Sequence, residues 1–462
     1  MRRILAIVWL TWKAALRFRL FWVLAALLAC TVVFLPLLLK DDGTAHGFIQ
    51  ILLAYNLTII TALLGFATLW LSCGSMASDL EECQIQMVAV KPISRWQIWL
   101  GKWLGIMFLD AVLLGLAGLS VYGLLRYRSG QLPREEQEIL RNEVFVARTG
   151  LREPVVDHTQ DIERIVSQKL KEKEYSDAGP FDKNLLRKQV AEEFNYMDQI
   201  VRPGYGRTWR ISLGLHKNTL HNVPLFIRTK FYSSETNSTA TYDCRWRVAP
   251  DSPREARREM SVAAETFTEF PIPPNSFDEN GLLTVQFLNA NNVALLFPLD
   301  EGMEVLYREA GFGLNFTRGL AVILCWLALL AALGLAAASF LSFPVAAFLC
   351  LTMLLVGFSS GSLQDILDQR SVLGLINTST GVADKQTIID IIMLPVMKGL
   401  LSIVRVAEAF SPIDSLSTGR SIRWSELGAA FGQVVLILGG CIAGVGMFIL
   451  SRRELATAQG AS

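Results

Sequence analysis

The sequence predicts an all-α polytopic membrane protein with six transmembrane helices and an inserted extracytoplasmic α+β domain that contains a β-sandwich. Two observations predict this fold class. Apolar residues make up 52% of the 462 residues and charged residues only 18%, whereas soluble domains carry roughly a quarter charged residues. Of the 85 charged residues, 51 lie between positions 129 and 311. A water-soluble insert therefore interrupts a lipid-soluble chain, which excludes a single soluble globule or a disordered chain.

Six apolar runs are long enough, or nearly so, to cross a hydrocarbon core, which takes about 20 helical residues. We expect helices because a helix satisfies the backbone polar groups of such a run within lipid. Transmembrane helices 1–3 fall within 20–128, helices 4 and 5 within 312–360, and helix 6 with a cytoplasmic tail within 429–462. The runs themselves are 20–39, 48–73, 103–125, 319–341, 343–360 and 429–450.

Lysine and arginine residues near the span ends predict the orientation, because they are enriched in cytoplasmic loops. Three basic clusters precede the first run, separate the second from the third and follow the last. With six spans, both termini then lie in the cytoplasm of a bacterial inner membrane, and the insert at 129–311 lies outside. Four basic residues oppose this bias on the outer side: Lys40, Arg126, Arg128 and Arg318.

Two segments suit the membrane surface better than its interior. Residues 1–19 combine cationic and aromatic residues on a predicted helix, which is typical of an amphipathic helix in the headgroup plane. Residues 361–428 include an apolar stretch that contains Asp390, Lys398 and Pro395. Because a seventh span would bury two charges, we predict an outer amphipathic or re-entrant region there.

The insert divides into two parts. Residues 131–200 are charged with helical spacing and predict a helical stalk. Residues 207–307 contain short alternating segments between turn residues, the pattern of a small antiparallel sandwich. The predicted strands are 208–215, 223–231, 241–248, 266–272, 282–289 and 305–307. Such a sandwich either binds a ligand or partner or serves only packing.

Sequence motifs of catalysis are absent. The chain has no phosphate-binding G-x-x-x-x-G-K-[ST] loop, no H-E-x-x-H and no G-x-S-x-G. Its seven cysteines show no spacing that suggests a metal or redox site, so we predict no catalytic, metal or cofactor residues. The net charge of +1 gives no reason to expect nucleic acid.

Asp110 is the acidic residue deepest in the predicted spans, about 12 Å along the helix from Lys102. Ionisable groups inside a membrane are functional candidates. A hydrogen bond to a neighbouring Ser or Thr is an equally good interpretation. A third, an intramembrane enzyme that uses Asp110, lacks the accompanying motifs.

The segment 75–100 lies between the second and third runs, on the predicted cytoplasmic side. Three acids open it where negative charge suits a helix N-terminus, an apolar stripe at helical spacing follows, and a proline stops that helix. The residues are Asp79, Glu81, Glu82, Ile85, Val88 and Pro92. We predict a short helix held against the membrane face, which a soluble partner can push; an ordinary cytoplasmic loop is the alternative.

This segment resembles the cytoplasmic loop of type-2 ABC transporter permeases. In that family an acidic helix is followed by a Pro-[Ile/Val]-Ser-Arg…Gly-Lys run, and here 92–95 reads PISR and 101–102 reads GK. The turn SFLSFPVAA at 339–347, the SPID run at 411–414 and the tail FILSRREL at 448–455 are also similar to family members annotated with copper-enzyme maturation or gliding. The resemblance covers roughly 1–128 and 312–462.

The resemblance implies a permease subunit without its own nucleotide site, most simply of an exporter. A separate ABC ATPase subunit would bind ATP and dock on the coupling loop, through Asp79, Glu81, Glu82, Ile85, Val88, Pro92 and Arg95. A second permease copy, membrane lipids and an exported substrate are the other implied partners. The insert departs from the family, which joins these spans by a short loop, so the substrate is not implied. The alternative is a membrane-anchored extracytoplasmic binding or sensor protein.

Overall fold

A computed structural model describes residues 2–17, 19–38, 45–81, 94–134, 137, 140, 145–154, 156–169, 180–214, 220–221, 223–234, 241–250, 253, 255–278, 280–358, 393–395, 397–399, 401 and 410–452. The chain forms two compact units. The first, here called the bundle, comprises Met1–Ala147 and Ala310–Ser462, and the second, the sandwich unit, comprises Arg148–Glu309.

The described α-helices follow the apolar pattern of the sequence. In chain order they are α1 Arg2–Arg17, α2 Arg19–Leu38, α3 Ala45–Glu81, α4 Arg95–Ser129, α5 Thr159–Lys169, α6 Pro180–Gln199, α7 Phe312–Ala338, α8 Phe343–Phe358, α9 Pro412–Ser417, α10 Trp424–Ala430 and α11 Gly440–Arg452. A π-helix, Phe431–Gly439, joins α10 to α11 without a break.

Among the residues that the structure describes, four helices of the bundle are long and apolar enough to cross a membrane, so the chain is a membrane protein. They are Gln50–Glu81, Arg95–Ser129, Phe312–Ala338 and the continuous Trp424–Arg452. The last begins five residues before the predicted 429. Helices α2 and α8 occupy the first and fifth predicted runs, but six spans are not confirmed.

Close helix contacts in the bundle depend on small residues. Helix α7 approaches α3 so tightly that a methyl group added at Gly334 would lie 1.8 Å from Ser72 Oγ. Helix α1 packs on α4, where added methyl groups at Gly101 and Gly105 would lie within 2.8 Å of Ile7 and Thr11 side-chain atoms. The location of α1 in the headgroup plane stays a prediction.

The glycines of the last span differ in their packing. Gly440 and Gly444 lie four residues apart, a spacing that permits close helix contact, but among the described residues no atom lies within 4 Å of a methyl group added at either. Gly446 instead makes the contact: a methyl group there would lie 2.8 Å from the Ala336 Cα. The face of α11 that packs on α7 is therefore the one that carries Ala443 and Gly446, which are both buried.

The sandwich unit is built from antiparallel strands. They are β1 Val146–Leu151, β2 Ile200–Val201, β3 Gly206–Ser212, β4 Leu225–Thr229, β5 Tyr232–Ser233, β6 Thr241–Val248, β7 Ala256–Ala263, β8 Thr268–Ile272, β9 Leu282–Asn289, β10 Leu295–Leu296 and β11 Met303–Gly311. Two four-stranded sheets have the orders β1-β11-β4-β8 and β3-β9-β6-β7, and a three-stranded sheet has the order β2-β10-β5.

One apolar core fills the space between the two four-stranded sheets. Trp246 lies at its centre, with ring centroids 4.7 Å from Phe287 and 5.8 Å from Trp209. Residues of β4, β8 and β11 complete it from the other sheet. The alternation of exposed and buried residues along β6 is complete, as expected for a strand with one face in a core.

An antiparallel, sheet-rich region is present as predicted, and each of the six predicted strands overlaps an observed one. The expectation of a wholly helical 131–200 is wrong in one place, because β1 forms an edge of the first sheet. The described helices of that region, α5 and α6, pack together through Val166, Leu186 and Val190.

Most of the predicted outer region, from 359 to 392 and from 402 to 409, lies outside the described residues. Of the remainder, α9 packs with α3 and α7. The loop after it is held by Asn315 on α7, whose Nδ2 donates to the Arg420 carbonyl at 2.7 Å and whose Oδ1 accepts from the Ile422 N–H at 2.8 Å.

A candidate coupling site at one end of the bundle

The ends of α3 and α4 that flank the predicted coupling loop are described, but the loop between them is not. Asp79, Glu81 and Arg95 can be placed in the structure. The other predicted coupling residues, Glu82, Ile85, Val88 and Pro92, lie outside the described residues. We refer to this part of the bundle, where α3 ends at Glu81 and α4 begins at Arg95, as the 81/95 end.

Asp79 is joined to a buried lysine. The Nζ of Lys102 on α4 lies 2.6 Å from Asp79 Oδ2, and it also donates to the Ser75 carbonyl on α3. Lys102 is only 5% exposed, so the carboxylate and the carbonyl together replace its lost water. This ion pair fastens α3 to α4.

Glu81 reaches a helix that begins 262 residues later. Its Oε1 accepts a hydrogen bond of 3.3 Å from the Phe343 N–H, at the start of α8. The first N–H groups of a helix lack intrahelical partners, and the helix dipole favours negative charge there. Glu81 therefore fastens the end of α3 to α8.

Arg95 binds the C-terminal end of a helix, whereas Glu81 binds an N-terminal end. Its Nη1 donates to the carbonyls of Leu450 and Ser451, both at 2.7 Å. The last carbonyls of a helix lack partners and favour a cation. Arg95 therefore joins the start of α4 to the end of α11. The 81/95 end thus links α3, α4, α8 and α11 through four charged side chains: Asp79, Lys102, Glu81 and Arg95.

Asp110 lies deeper in the bundle and is 1% exposed. The hydroxyl of Thr68 on α3 lies 2.9 Å from Asp110 Oδ2 and 2.7 Å from the Leu64 carbonyl. The structure thus contains the hydrogen bond between helices that the sequence analysis weighed against a functional role. Within the described part of the chain, Thr68 is the polar partner of Asp110.

The sequence analysis missed a pair of cysteines. The Sγ atoms of Cys73 on α3 and Cys350 on α8 lie 3.8 Å apart, and both side chains are fully buried. No local signal could have found this pair, because the two residues are 277 positions apart. Within the described residues, no group of three or more His, Cys, Asp or Glu residues could hold a metal ion.

The sandwich unit has an open cavity of about 420 Å³ between the edge strands of its two larger sheets. It is lined by Val248, Ala256, Arg257, Arg258, Pro271, Ile272 and Pro273. The one cysteine of the unit, Cys244, is buried in the core, and burial raises the pKa of its thiol to about 12. That cysteine is therefore a core residue without nucleophilic character at neutral pH.

The fold and this end of the bundle define a class: a membrane protein whose helices are connected through charged side chains at one end and whose chain carries a β-sandwich insert. No protein-family model matches the chain. No curated protein and no solved structure matches it either.

Proposed function

We propose that this chain is the membrane-spanning permease subunit of an ABC transporter, an exporter driven by a separate ATPase subunit. The proposal includes six spans, both termini in the cytoplasm of a bacterial inner membrane, and a second permease copy. The resemblance of segment 75–100, with the GK at 101–102, to the family's loop is its starting point.

The observation that carries the proposal is the linkage at the 81/95 end. A loop that only connects two spans does not require hydrogen bonds from its flanking residues to other helices. Here the residues on either side of the loop contact the start of α8 and the end of α11, and the Lys102–Asp79 ion pair joins α3 to α4. Force applied to the loop by a closing ATPase would therefore act on four helices at once.

We further propose two different roles for residues that the resemblance assigns together to docking. Glu81 and Arg95 contact neighbouring helices within the chain, so we assign them to transmission. Glu82 lies in the predicted loop, and we assign it to docking. Substitutions at the two glutamates should therefore have different effects.

The test is affinity purification of the full chain from its native membrane. We expect an ATPase with a nucleotide-binding motif to co-purify with wild type and with Glu81→Gln. Glu82→Lys should lose it, and Glu193→Lys, a charge reversal at an exposed residue of the insert, should retain it. In reconstituted complexes, Glu81→Gln should lower the effect of the permease on ATP hydrolysis. Purified wild type without any ATPase would contradict the proposal.

A second candidate, a membrane-anchored extracytoplasmic binding or sensor protein, is favoured by the cavity of the sandwich unit. Arg257 and Arg258 give that cavity a basic lining beside apolar residues. Retention of an anionic ligand by the full chain, in the absence of any ATPase partner, would support this candidate over the permease.

A further inference from the structure

Arg318 is a buried cation near the start of α7. It is 6% exposed, and its Nη1 donates to the Ile422 carbonyl at 3.0 Å. The guanidinium carbon lies 4.5 Å from the ring centroid of Trp424. Its Nε is buried and has no hydrogen-bond partner among the residues that the structure describes.

The charge of Arg318 is not neutralised within the described part of the chain. A carbonyl and an aromatic face orient a guanidinium, but neither carries a compensating negative charge. The buried Arg148, by contrast, has a carboxylate partner, because it lies 2.7 Å from Glu269. Because an unpaired buried charge is costly, this site requires an anion that the described residues do not supply.

The position of Arg318 along α7 indicates where that anion comes from. Helix α7 has 27 residues and is about 40 Å long, whereas the hydrocarbon core is about 30 Å thick. Arg318 lies six residues after Phe312, about 9 Å along the helix, near the boundary between hydrocarbon and headgroups. Trp424 is 61% exposed, and tryptophan is enriched at this depth.

The surroundings hold the site in place and leave its charge positive. Asn315 fixes the loop that carries Ile422 and Trp424, and Leu416 and Ile422 pack over Gly319. The nearby acid Glu426 accepts from the backbone N–H of Arg423, in keeping with a helix N-terminus. The arrangement thus presents a fixed guanidinium beside an exposed ring.

We propose that Arg318 and Trp424 bind the phosphodiester group of a membrane lipid. Arginine suits this ligand because its planar fork matches phosphate oxygens, and the exposed indole suits the adjoining glycerol and acyl region. Free phosphate has the same anionic chemistry but lacks the acyl chains that the depth of the site favours. This inference does not depend on the ATPase partner.

The test is native mass spectrometry of the full chain, delipidated in a phosphate-free maltoside detergent and titrated with phosphatidylglycerol. We expect one retained lipid in wild type and at least about tenfold weaker retention in Arg318→Met, as for loss of a charge-assisted contact. Arg318→Lys should retain part of the affinity as a point charge. Arg126→Met, which removes an exposed cation predicted on the same side, should behave as wild type.

Two further measurements complete the test. One controls for misfolding of the Arg318 variants, and the other distinguishes a lipid phosphate from free phosphate. Trp424→Leu leaves Arg318 in place and should weaken retention several-fold while thermal unfolding without lipid stays unchanged. A galactosyl diacylglycerol, which has no phosphate, should not be retained. Equal retention of that lipid, displacement of phosphatidylglycerol by equimolar inorganic phosphate, or unchanged binding in both Arg318→Met and Trp424→Leu would overturn the proposal.

Discussion

The bundle and the sandwich unit both bury charged side chains, but they use them in opposite ways. In the sandwich unit a continuous row runs Arg152–Glu304–Arg228–Glu269–Arg148, with successive distances of 3.4, 3.5, 3.7 and 2.7 Å. The members belong to, or directly adjoin, the strands of a single sheet. Three arginines thus alternate with two glutamates, and each buried charge of the row lies beside one of opposite sign.

At the 81/95 end of the bundle, each charged side chain instead reaches another helix. Asp79 contacts Lys102, Glu81 contacts the start of α8, and Arg95 contacts the end of α11. Charges within one sheet make that sheet rigid, whereas charges between helix ends make the position of one helix depend on another. We therefore expect the insert to be rigid and the displacement of one bundle helix to displace the helices bonded to it.

The largest effect should come from breaking the row in the sandwich unit. Glu304 is 3% exposed and contacts both Arg228 and Arg152, so Glu304→Ala removes one of the two carboxylates that neutralise the buried Arg228 and leaves Glu269 alone to compensate it. We expect the free energy of unfolding of this unit to fall by about 3–5 kcal/mol, measured by hydrogen exchange of β4 and β11 in the full chain.

The matched control is Glu259→Ala. Glu259 lies 3.6 Å from Arg245, but its side chain is 76% exposed, so its removal should cost less than about 1 kcal/mol. Equal losses in the two variants would show that the row is not a buried network, and the contrast between the two units would disappear.

A smaller loss should follow Lys102→Met in the bundle. Asp79 is 30% exposed, so water can replace part of the lost contact, and we expect about 1–3 kcal/mol. The measurement is a double-mutant cycle with Asp79→Leu, in which the double variant should recover part of the stability. Additive losses would mean that the two residues do not act as a pair.

The contact between α3 and α8 can be tested through Cys73 and Cys350. Thiols 3.8 Å apart need a movement of about 2 Å to form a disulfide. We expect a membrane-permeant oxidant to link them, so that the two halves of a chain cleaved within the insert stay joined until reduced. Cys350→Ser should abolish the link, and Cys325→Ser should not.

The smallest effect should be a pH dependence at an exposed ion pair of the sandwich unit. Hydrogen bonds from Arg257 and then Arg247 lower the pKa of Glu255. A folded-state pKa below the unfolded value of roughly 4.3 stabilises the fold above that value, and this contribution is lost as pH falls through the folded pKa.

Wild type should therefore lose a small advantage over Glu255→Gln as the pH falls from about 6 to about 3. The measurement is the thermal midpoint of the unit in both proteins across that range. A constant difference between the two midpoints would contradict the assignment.

Local patterns allowed much of this fold to be predicted. The alternation of polar and apolar residues predicted both ends of β6 correctly. The length of the apolar runs identified the four helices able to cross a membrane. Strand β7 was missed because, as a sheet edge, it exposes Arg257, Arg258 and Glu259. Strand β1 was missed because its buried residues include the polar Arg148 and Thr149.

The candidate site was predictable in part. The acids and Arg95 could be found from their place between two spans, but their partners could not. Glu81 and Phe343 are 262 positions apart, and Arg95 and Leu450 are 355 apart. Nothing in the local sequence specifies such pairs, because tertiary packing alone brings them together.

The π-helix at Phe431–Gly439 fixes the rotational setting of everything that follows it. A π-helix has more residues per turn than an α-helix, in which each residue turns the helix by about 100°. Returning all nine residues to α-helical winding would therefore rotate the helix that follows, swing Gly446 off Ala336 and carry the carbonyls of Leu450 and Ser451 away from Arg95. The winding of these nine residues thus sets the rotation of α11 about its axis. The contacts of α11 with Ala336 and Arg95 depend on that rotation.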